Sequence, residues 1–88
     1  MAFYKLFFDR DVEKDLAKIP KANVRKIMGK VASLSINPHP PQSLKLENSN
    51  ITYRLRVGDY RVIYQIDDHL KQVTIYHIRH RKDVYRSI

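Results

Sequence analysis

The sequence contains no cysteine, only two glycines and no long hydrophobic run. Without cysteine, a disulfide scaffold and a cysteine-ligated metal site are excluded, and redox chemistry is disfavoured. Two separate glycines cannot build the glycine-rich loop that cradles phosphates in many nucleotide-binding proteins. The apolar N-terminal run, residues 1–8, is interrupted by Lys5 and is too short for a signal peptide or a membrane span. We therefore expect no membrane association and no bound cofactor.

The chain is nevertheless well supplied with core-forming and basic residues. Of its 88 residues, 43% are hydrophobic and 30% are charged. This composition suits one small folded domain, which we expect residues 1–88 to form. Lys and Arg number 17 against 9 Asp and Glu, so the net charge is +8. A positive field of this size predicts a partner that carries phosphates or an acidic protein surface.

The first half of the chain predicts one strand followed by two helices. Residues 3–8 are aromatic and aliphatic, as in a strand, and Asp9 is suited to cap the next helix. Residues 11–19 place apolar side chains at helical spacing until Pro20 interrupts the pattern. A longer helix follows, whose apolar stripe consists of Val24, Ile27, Met28, Val31 and Leu34. Three prolines then predict a connecting loop over residues 36 to about 50.

The second half of the chain has the composition and spacing of strands. Residues 53–57, 60–66 and 72–78 are rich in β-branched and aromatic side chains and are separated by short turns, as in an antiparallel meander. Residues 83–86 predict a short helical turn. The order β-α-α-β-β-β predicts an α+β fold, in which two N-terminal helices pack on a mainly antiparallel four-stranded sheet.

The first predicted hairpin places three arginines on one face of the sheet. A two-residue loop, Gly58-Asp59, suits a type II′ turn and fixes the register of the two strands. Counting outward from the turn, Arg56 then lies opposite Arg61, and Arg54 lies opposite Ile63. Because side chains alternate between faces, the three guanidinium groups project from the same side.

Like charges directly opposite each other on paired strands destabilise a sheet by about 0.2 to 1 kcal/mol. The arginines of the hairpin are either solvated at the sheet edge, neutralised by a distant carboxylate, or arranged to bind an anion. We favour the third interpretation, because arginine binds the oxygens of a nucleic-acid phosphate in a bidentate manner. The C-terminal segment adds basic residues at the rim of the same sheet, unless it is a frayed terminus. These residues are Arg79, Arg81, Lys82 and Arg86.

Three further polar or aromatic side chains lie near this predicted patch. Tyr85 is suited to stack on an RNA base. His77 and His80 lie three positions apart on an extended strand and therefore point to opposite faces. With no cysteine or glutamate to complete a ligand set, we expect no metal site.

Two sequence motifs resemble those of a known family. They are the hairpin string Tyr53-Arg-Leu-Arg-Val-Gly-Asp-Tyr-Arg-Val-Ile-Tyr64 and the closing string His80-Arg-Lys-Asp-Val-Tyr-Arg86. Together they resemble the RelE toxins of the RelE/ParE superfamily of type II toxin–antitoxin systems. The two helices, the proline-rich loop and the approach to the sheet also fit, so the resemblance covers nearly the whole chain. The closing string favours the RelE branch over the ParE branch.

The resemblance implies a toxin of the bacterial or archaeal cytoplasm that enters the ribosomal A site and cleaves mRNA without metal or cofactor. The 2′-hydroxyl attacks the adjacent phosphate and leaves a 2′,3′-cyclic phosphate and a 5′-hydroxyl. By position, the catalytic residues would be Arg54, Arg56, Arg61, Arg79 or Arg81, and Tyr85. The implied inhibitor is a RelB-like antitoxin, whose acidic segment would wrap around a toxin of charge +8.

One departure from the family concerns the general base. A well-known RelE carries lysines at the positions of Arg54 and Arg56, and an arginine effectively cannot lose its proton. The candidates in this chain are His80, His77, Glu47 and Tyr85, unless positioning on the ribosome alone suffices. We favour His80, because the unperturbed pKa of histidine is nearest to neutrality. The hairpin turn is also shorter than in that RelE.

Two other functions are compatible with the same sequence. A ParE-like inhibitor of DNA gyrase would share the fold and the basic surface but would not need arginines and a tyrosine around a phosphate. A small RNA-binding module without catalysis would show only salt-dependent affinity for phosphates. Replacing Arg61 with alanine separates these functions: a nuclease should lose cleavage while it keeps its fold and antitoxin binding, whereas inhibition of gyrase should be little affected.

Overall fold

A computed structural model describes residues 3–83 of the chain. Along the chain the elements are β1 (Lys5–Phe8), α1 (Asp11–Ala17), α2 (Lys21–Ser33), β2 (Ser43–Lys45), β3 (Thr52–Val57), β4 (Tyr60–Asp67) and β5 (Gln72–His80). The strands form one sheet in the order β1-β5-β4-β3-β2, in which β1 is parallel to β5 and all other pairs are antiparallel. This confirms the predicted α+β class and the mainly antiparallel sheet.

The sheet has five strands, so the predicted count of four is wrong. The additional strand is the short β2. Strand β2 lies within the segment for which the sequence predicts a loop. Its residues pair with Tyr53, Arg54 and Leu55 of β3. Three residues are too few to show an alternating pattern, and the preceding prolines suggest a loop. The strand exists because β3 offers an edge for pairing, which is a tertiary property.

The helices begin and end within two residues of the predicted positions. The N-cap of α1 is Arg10, one residue later than expected, and the Asp9 carboxylate accepts a long hydrogen bond of 3.4 Å from the backbone N–H of Asp11. The last α-helical residue of α1 is Ala17. The N–H groups of Lys18 and Ile19, just before Pro20, bond to carbonyls three residues back instead of four. The predicted turn at residues 83–86 and Tyr85 lie outside the described residues, except for Asp83. No described helix is long and apolar enough to cross a membrane.

The hydrophobic core lies between the two helices and one face of the sheet. Its buried members are Val12 of α1, Ile27 and Val31 of α2, Leu34, and the inward-facing Leu55, Val62, Tyr64, Ile66, Val73, Ile75 and Ile78 of β3, β4 and β5. The Tyr64 hydroxyl donates a 2.9 Å hydrogen bond to the Pro38 carbonyl and so fastens the proline-rich loop to the core. Burial is the main reason that the pKa of Tyr64 lies above its usual range.

Candidate functional site

The β3–β4 hairpin has the register that the sequence predicted. Arg56 is the cross-strand partner of Arg61, and Arg54 is the partner of Ile63. Gly58 has a φ of +59°, which is the backbone conformation that the first residue of a type II′ turn requires. The short turn therefore fixes which arginines face each other, and all three leave the sheet on the face opposite the helices.

Arg54, Arg56 and Arg61 line a single surface groove of about 390 Å³, which we call the arginine groove. Its other walls are Pro41, Gln42 and Leu44. These residues belong to β2 and the loop before it, so the strand that the sequence missed encloses the groove. The Leu44 side chain is 61% exposed and provides an apolar surface beside the guanidinium groups. A phosphate with an attached base or sugar matches this combination of charge and apolar wall.

Arg61 is held at the end of the hairpin by backbone carbonyls. Its Nη1 donates to the carbonyl oxygens of Gly58 and Tyr60, each at 3.0 Å. These contacts restrict the side chain before any ligand binds, which reduces the conformational entropy lost on binding. Arg61 is therefore a predicted phosphate-binding group whose side chain is already oriented by the backbone of its own hairpin.

Arg79 lies in the same cross-strand row but does not line the arginine groove. It is the β5 partner of Arg61, yet its Nε lies 3.1 Å from Oδ1 of Asp15 on α1, and its Nη2 lies 3.2 Å from Nδ1 of His77. The side chain is therefore drawn toward the edge of β5. There it borders a second cavity of about 200 Å³, which we call the α1 cavity and which is also lined by Asp15, Lys18, Ile19, Tyr60, Ile78, His80 and Asp83.

Asp15 is a site residue that the sequence analysis missed. Its side chain is only 6% exposed, and its Oδ2 accepts a 3.0 Å hydrogen bond from the backbone N–H of Ile78. It occupies the uncovered edge of β5 beyond the end of β1. The sequence does contain a sign of its burial. Asp15 follows Val12 by three residues and directly precedes Leu16, so it lies inside the apolar stripe of α1. A carboxylate in such a stripe indicates a buried partner.

Arg81 lies beside the hairpin turn. Its backbone N–H donates to the Asp59 carbonyl at 2.7 Å, and its Nε lies 3.9 Å from Oδ1 of the same aspartate. Both side chains are well exposed, so this ion pair adds little to stability. The backbone contact nevertheless joins the end of β5 to the β3–β4 turn, which keeps Arg81 near the groove-bearing hairpin.

The two histidines lie on opposite faces of the sheet, as predicted. His77 pairs with Ile63, which pairs with Arg54, so this row faces the same side as the arginine groove. His80 pairs with Tyr60 and packs edge-on against its ring, with the centroids 5.5 Å apart. Because Tyr60 packs against the core, His80 lies on the helix side and borders the α1 cavity. The favoured general base thus does not share a groove with the three hairpin arginines.

Glu47 borders a neighbouring groove of about 720 Å³, which shares Leu44 and Arg54 with the arginine groove. Glu47 therefore borders a groove that adjoins the arginine groove at Arg54. Within residues 3–83, no three His, Asp or Glu side chains come together as a metal-binding group. The fourth candidate base, Tyr85, lies outside the described part of the chain.

Comparison with known proteins assigns the family. A family model described as the ParE toxin of the type II toxin–antitoxin system parDE matches residues 6–85. Two toxins of Mycobacterium tuberculosis are similar in sequence: RelG, 31% identical over 87 residues that cover 94% of this chain and 97% of RelG, and RelE, 35% identical over 77 residues that cover 88% and 76%. The chain belongs to the RelE toxin family.

The fold of this RelE-family toxin agrees with solved structures. It superposes on the toxin chain of an archaeal RelE–RelB complex from Pyrococcus horikoshii with a TM-score of 0.80 and 32% identity, covering 90% of this chain and 96% of the other. The toxin of the Mycobacterium tuberculosis complex RelBE2 gives a TM-score of 0.68 at 30% identity. The predicted family resemblance is confirmed, and the chain is a toxin of the toxin–antitoxin type.

The structure divides the predicted site residues of the toxin into two groups. Arg54, Arg56 and Arg61 share the arginine groove, whereas Arg79 and His80 border the α1 cavity at the edge of β5. The basic residues that the sequence places at the rim of the sheet therefore do not all line one groove. The cause is Asp15, which attracts the Arg79 guanidinium away from the row that it shares with Arg61.

Proposed function

We propose that this toxin is a ribosome-dependent endoribonuclease that cleaves mRNA in the ribosomal A site and thereby stops translation. The observation that carries this proposal is the arginine groove, in which three arginines of one hairpin meet beside an apolar wall. Such a cluster lowers the stability of the sheet, so its presence is best explained by an anionic ligand. The family assignment makes RNA the anion to test first.

The proposed reaction requires no metal ion. The 2′-oxygen attacks the adjacent phosphorus, an O2′–P bond forms, and the P–O5′ bond breaks. The 2′-hydroxyl proton passes to a general base and a proton is delivered to the leaving 5′-oxygen, which gives a 2′,3′-cyclic phosphate and a 5′-hydroxyl. Arg54, Arg56 and Arg61 stabilise the additional negative charge on the phosphorus oxygens in the transition state. Arg79 or Arg81 places positive charge near the leaving oxygen.

We propose Glu47, in preference to His80, as the general base. Arginines cannot serve, and His80 lies on the face opposite the hairpin arginines. The Nδ1 atom of His77 accepts from Nη2 of Arg79, because an arginine can only donate. A neutral His77 therefore carries its proton on Nε2, so neither ring nitrogen is left to accept a proton from RNA. Glu47 is exposed, borders a groove continuous with Arg54, and presents an acceptor in its ionised form.

The proposed partners are the ribosome with its mRNA and a RelB-like antitoxin. The Pyrococcus horikoshii relative is described as a complex of RelE with RelB. The charge of +8 on this toxin favours an antitoxin segment that is acidic and folds on the toxin surface. We place this activity in the prokaryotic cytoplasm, where ribosomes and mRNA are found.

The decisive experiment is primer extension on a translated mRNA in a purified system, with and without ribosomes. Wild-type toxin should cut within the reading frame only when ribosomes are present. Arg61→Ala should reduce cleavage by about 100-fold or more, as expected for loss of one transition-state donor. Arg25→Ala, which removes the same charge from the exposed surface of α2, should cleave like the wild type. Intact mRNA during active translation would refute the nuclease proposal.

A second candidate function is inhibition of DNA gyrase, because the matching family model is described as a ParE toxin. This function predicts loss of gyrase supercoiling activity with mRNA left intact. It also predicts that Arg61→Ala inhibits gyrase as strongly as the wild type, since no phosphate chemistry is involved. A supercoiling assay with both proteins therefore distinguishes the two functions.

A further inference from the structure

One side chain of the arginine groove differs in its chemistry from the others. Three of the six lining residues are arginines, whose guanidinium groups can only donate hydrogen bonds. Pro41 and Leu44 offer no polar side-chain atom. The remaining residue is Gln42, whose amide carries two donor hydrogens and one acceptor oxygen. Among the lining residues that the structure describes, Gln42 therefore provides the one side-chain acceptor.

The segment that carries Gln42 is fixed by backbone hydrogen bonds. The Gln42 carbonyl accepts from the backbone N–H of Arg56 on β3 at 3.2 Å. The N–H and the hydroxyl of Ser43 both donate to the Pro40 carbonyl, at 2.9 and 2.8 Å. Pro41 restricts the backbone directly before Gln42. The place of Gln42 beside the arginines is thus set before a ligand binds, which lowers the entropic cost of recognition.

The Gln42 amide is exposed and, within residues 3–83, forms no hydrogen bond with another part of the protein. Gln42 and Arg56 line both the arginine groove and a second groove of about 630 Å³, whose other walls come from α2 and the β3–β4 turn. These two residues therefore form the ridge between the grooves. A ligand that lies against this ridge meets a cation and a neutral amide side by side.

A nucleotide has the two kinds of group that this ridge can bind. Its phosphate only accepts hydrogen bonds and suits Arg56. The exposed edges of an unstacked RNA base carry donors and acceptors, and a donor on the base needs an acceptor that an arginine cannot supply. The arginine groove, at about 390 Å³, lies within the range of roughly 300 to 1,000 Å³ that is typical of small-ligand sites. It therefore has room for one base.

Adenine matches a glutamine side chain through its N6 and N7 atoms. The N6 amino group donates and N7 accepts, so one amide binds both. Guanine presents two acceptors at the same edge, and the pyrimidines lack N7. The amide of Gln42 thus complements an adenine edge that the arginines alone would leave half satisfied.

We propose that Gln42 determines the base preference of the toxin and selects an adenine beside the phosphate that Arg56 binds. This inference rests on the proposed ribonuclease function and names the base that the same groove recognises. Gln42 is a specificity-determining residue, because it contacts the base and not the reacting atoms. It therefore decides which mRNA sites are cut.

The central test is single-turnover cleavage on ribosomes of mRNAs that differ in one nucleotide of the A-site codon. At one codon position, wild-type toxin should cleave adenine about fivefold to 150-fold faster than uracil, the range expected for a bidentate base contact. Gln42→Leu should cleave both at similar rates. Asn50→Leu removes an exposed amide outside the arginine groove and should keep the wild-type preference. A wild-type preference in Gln42→Leu would overturn the inference.

A change in the chemistry of the side chain should change the preferred base. The ionised carboxylate of Gln42→Glu only accepts hydrogen bonds and suits the N4 amino group of cytosine. This variant should therefore prefer cytosine, whereas Asn50→Glu, which adds the same charge, should still prefer adenine. Each preference is a ratio of rates for one protein, so a general loss of RNA affinity cancels. An unchanged preference for adenine in Gln42→Glu would contradict the proposed contact.

An altered nucleotide tests the contact at the level of one atom. With 7-deazaadenosine at the preferred position, N7 is replaced by a C–H group that accepts no hydrogen bond. Wild-type toxin should cleave this mRNA more slowly than the adenosine mRNA, whereas Gln42→Leu should cleave both at the same rate. Equal slowing in the two proteins would show that another group reads N7.

A binding measurement on the isolated toxin separates this inference from the proposed function. Labelled 2′-O-methyl hexanucleotides of adenine or uracil cannot be cleaved, because they lack the attacking hydroxyl. By fluorescence anisotropy, wild-type toxin should bind the adenine hexamer at least about fivefold more tightly, and Gln42→Leu should bind both alike. Thermal unfolding verifies that each variant is folded.

The combined outcomes assign any failure to one of the two proposals. A wild type with this binding preference that does not cleave mRNA on ribosomes would refute the ribonuclease function alone. A wild type that cleaves, with a preference that Gln42→Leu retains, would refute the role of Gln42 alone. Absence of both cleavage and binding preference would refute both.

Discussion

Arg56 and Arg61 are direct cross-strand partners on the face of the hairpin that carries the arginine groove. Two positive charges in this position repel each other, and the repulsion is strongest when nothing is bound. We therefore expect this pair to lower the stability of the hairpin when no anion is bound. This pair therefore links the stability of the toxin to its proposed activity. The free energy of unfolding and the RNA-dependent activity can be measured separately.

Removing one member of this pair should stabilise the protein while it weakens RNA binding. Arg56→Thr should raise the free energy of unfolding by about 0.2 to 1 kcal/mol, because it removes the repulsion and threonine suits a strand. Arg54→Thr is the matched control, since Arg54 faces Ile63 and has no like charge directly opposite. Urea denaturation measures both. An Arg56→Thr variant no more stable than Arg54→Thr would show that the pair carries no strain.

The salt dependence of RNA binding should report the number of arginines that contact phosphate. For single-stranded RNA, each phosphate contact adds about 0.7 to the slope of log affinity against log salt. Arg61→Ala should therefore lower the slope by about that amount, and Arg54→Ala should do the same. Arg25→Ala on α2 should leave the slope unchanged. Fluorescence anisotropy between about 50 and 200 mM salt measures the slopes.

A slope that stays the same in Arg61→Ala would remove this residue from the RNA interface. Equal decreases in all three variants would point instead to a general effect of net charge, without a defined groove.

The parts of the fold that depend on local sequence were predictable. Gly58 and Asp59 determine the turn, and the turn determines which residues of β3 and β4 face each other. Strand β2 was not predictable in this way. Its pairing depends on the edge of β3, which is reached only after the chain has passed through residues 46–51.

The shared face of Arg54, Arg56 and Arg61 was predictable, but the separation of Arg79 and His80 from them was not. The register of β4 and β5 contains an irregularity between Ile63 and Tyr64, which places His77 opposite Ile63 on the arginine side. An alternating pattern cannot reveal such a bulge. Similarly, the orientation of Arg79 depends on Asp15, a residue 64 positions earlier whose role becomes clear only when α1 packs against β5.

The buried Tyr64 predicts a specific loss of stability at alkaline pH. Burial raises its pKa in the folded protein above the unfolded value of 10.0, so the folded state holds this proton more tightly. Its contribution is complete below pH 10 and should diminish as the pH rises through the folded-state value. Tyr64→Phe should cost about 1 to 3 kcal/mol at neutral pH, because the buried Pro38 carbonyl loses its donor.

The difference in unfolding free energy between wild type and Tyr64→Phe should therefore shrink as the pH rises above 10.0, because the unfolded chain loses the Tyr64 proton first. Tyr76→Phe, on a partly buried tyrosine of β5, provides the comparison. Urea denaturation at several pH values measures the differences. A difference that stays constant as the pH rises above 10.0 would contradict the proposed role of the Tyr64 proton.

The choice between Glu47 and His80 as general base has a kinetic consequence. Loss of a general base lowers the rate of proton transfer by about 100-fold to 10,000-fold. Glu47→Gln should therefore reduce single-turnover cleavage by at least about 100-fold. His80→Gln should cause a much smaller change, because His80 lies on the helix side of the sheet, against Tyr60. The opposite result would assign the role of general base to His80 and would require that β5 rearranges when RNA binds.

Glu13→Gln is the control for the loss of one negative charge. Equal cleavage rates in all three variants would mean that neither Glu47 nor His80 acts as the base. Cleavage would then depend on positioning by the ribosome.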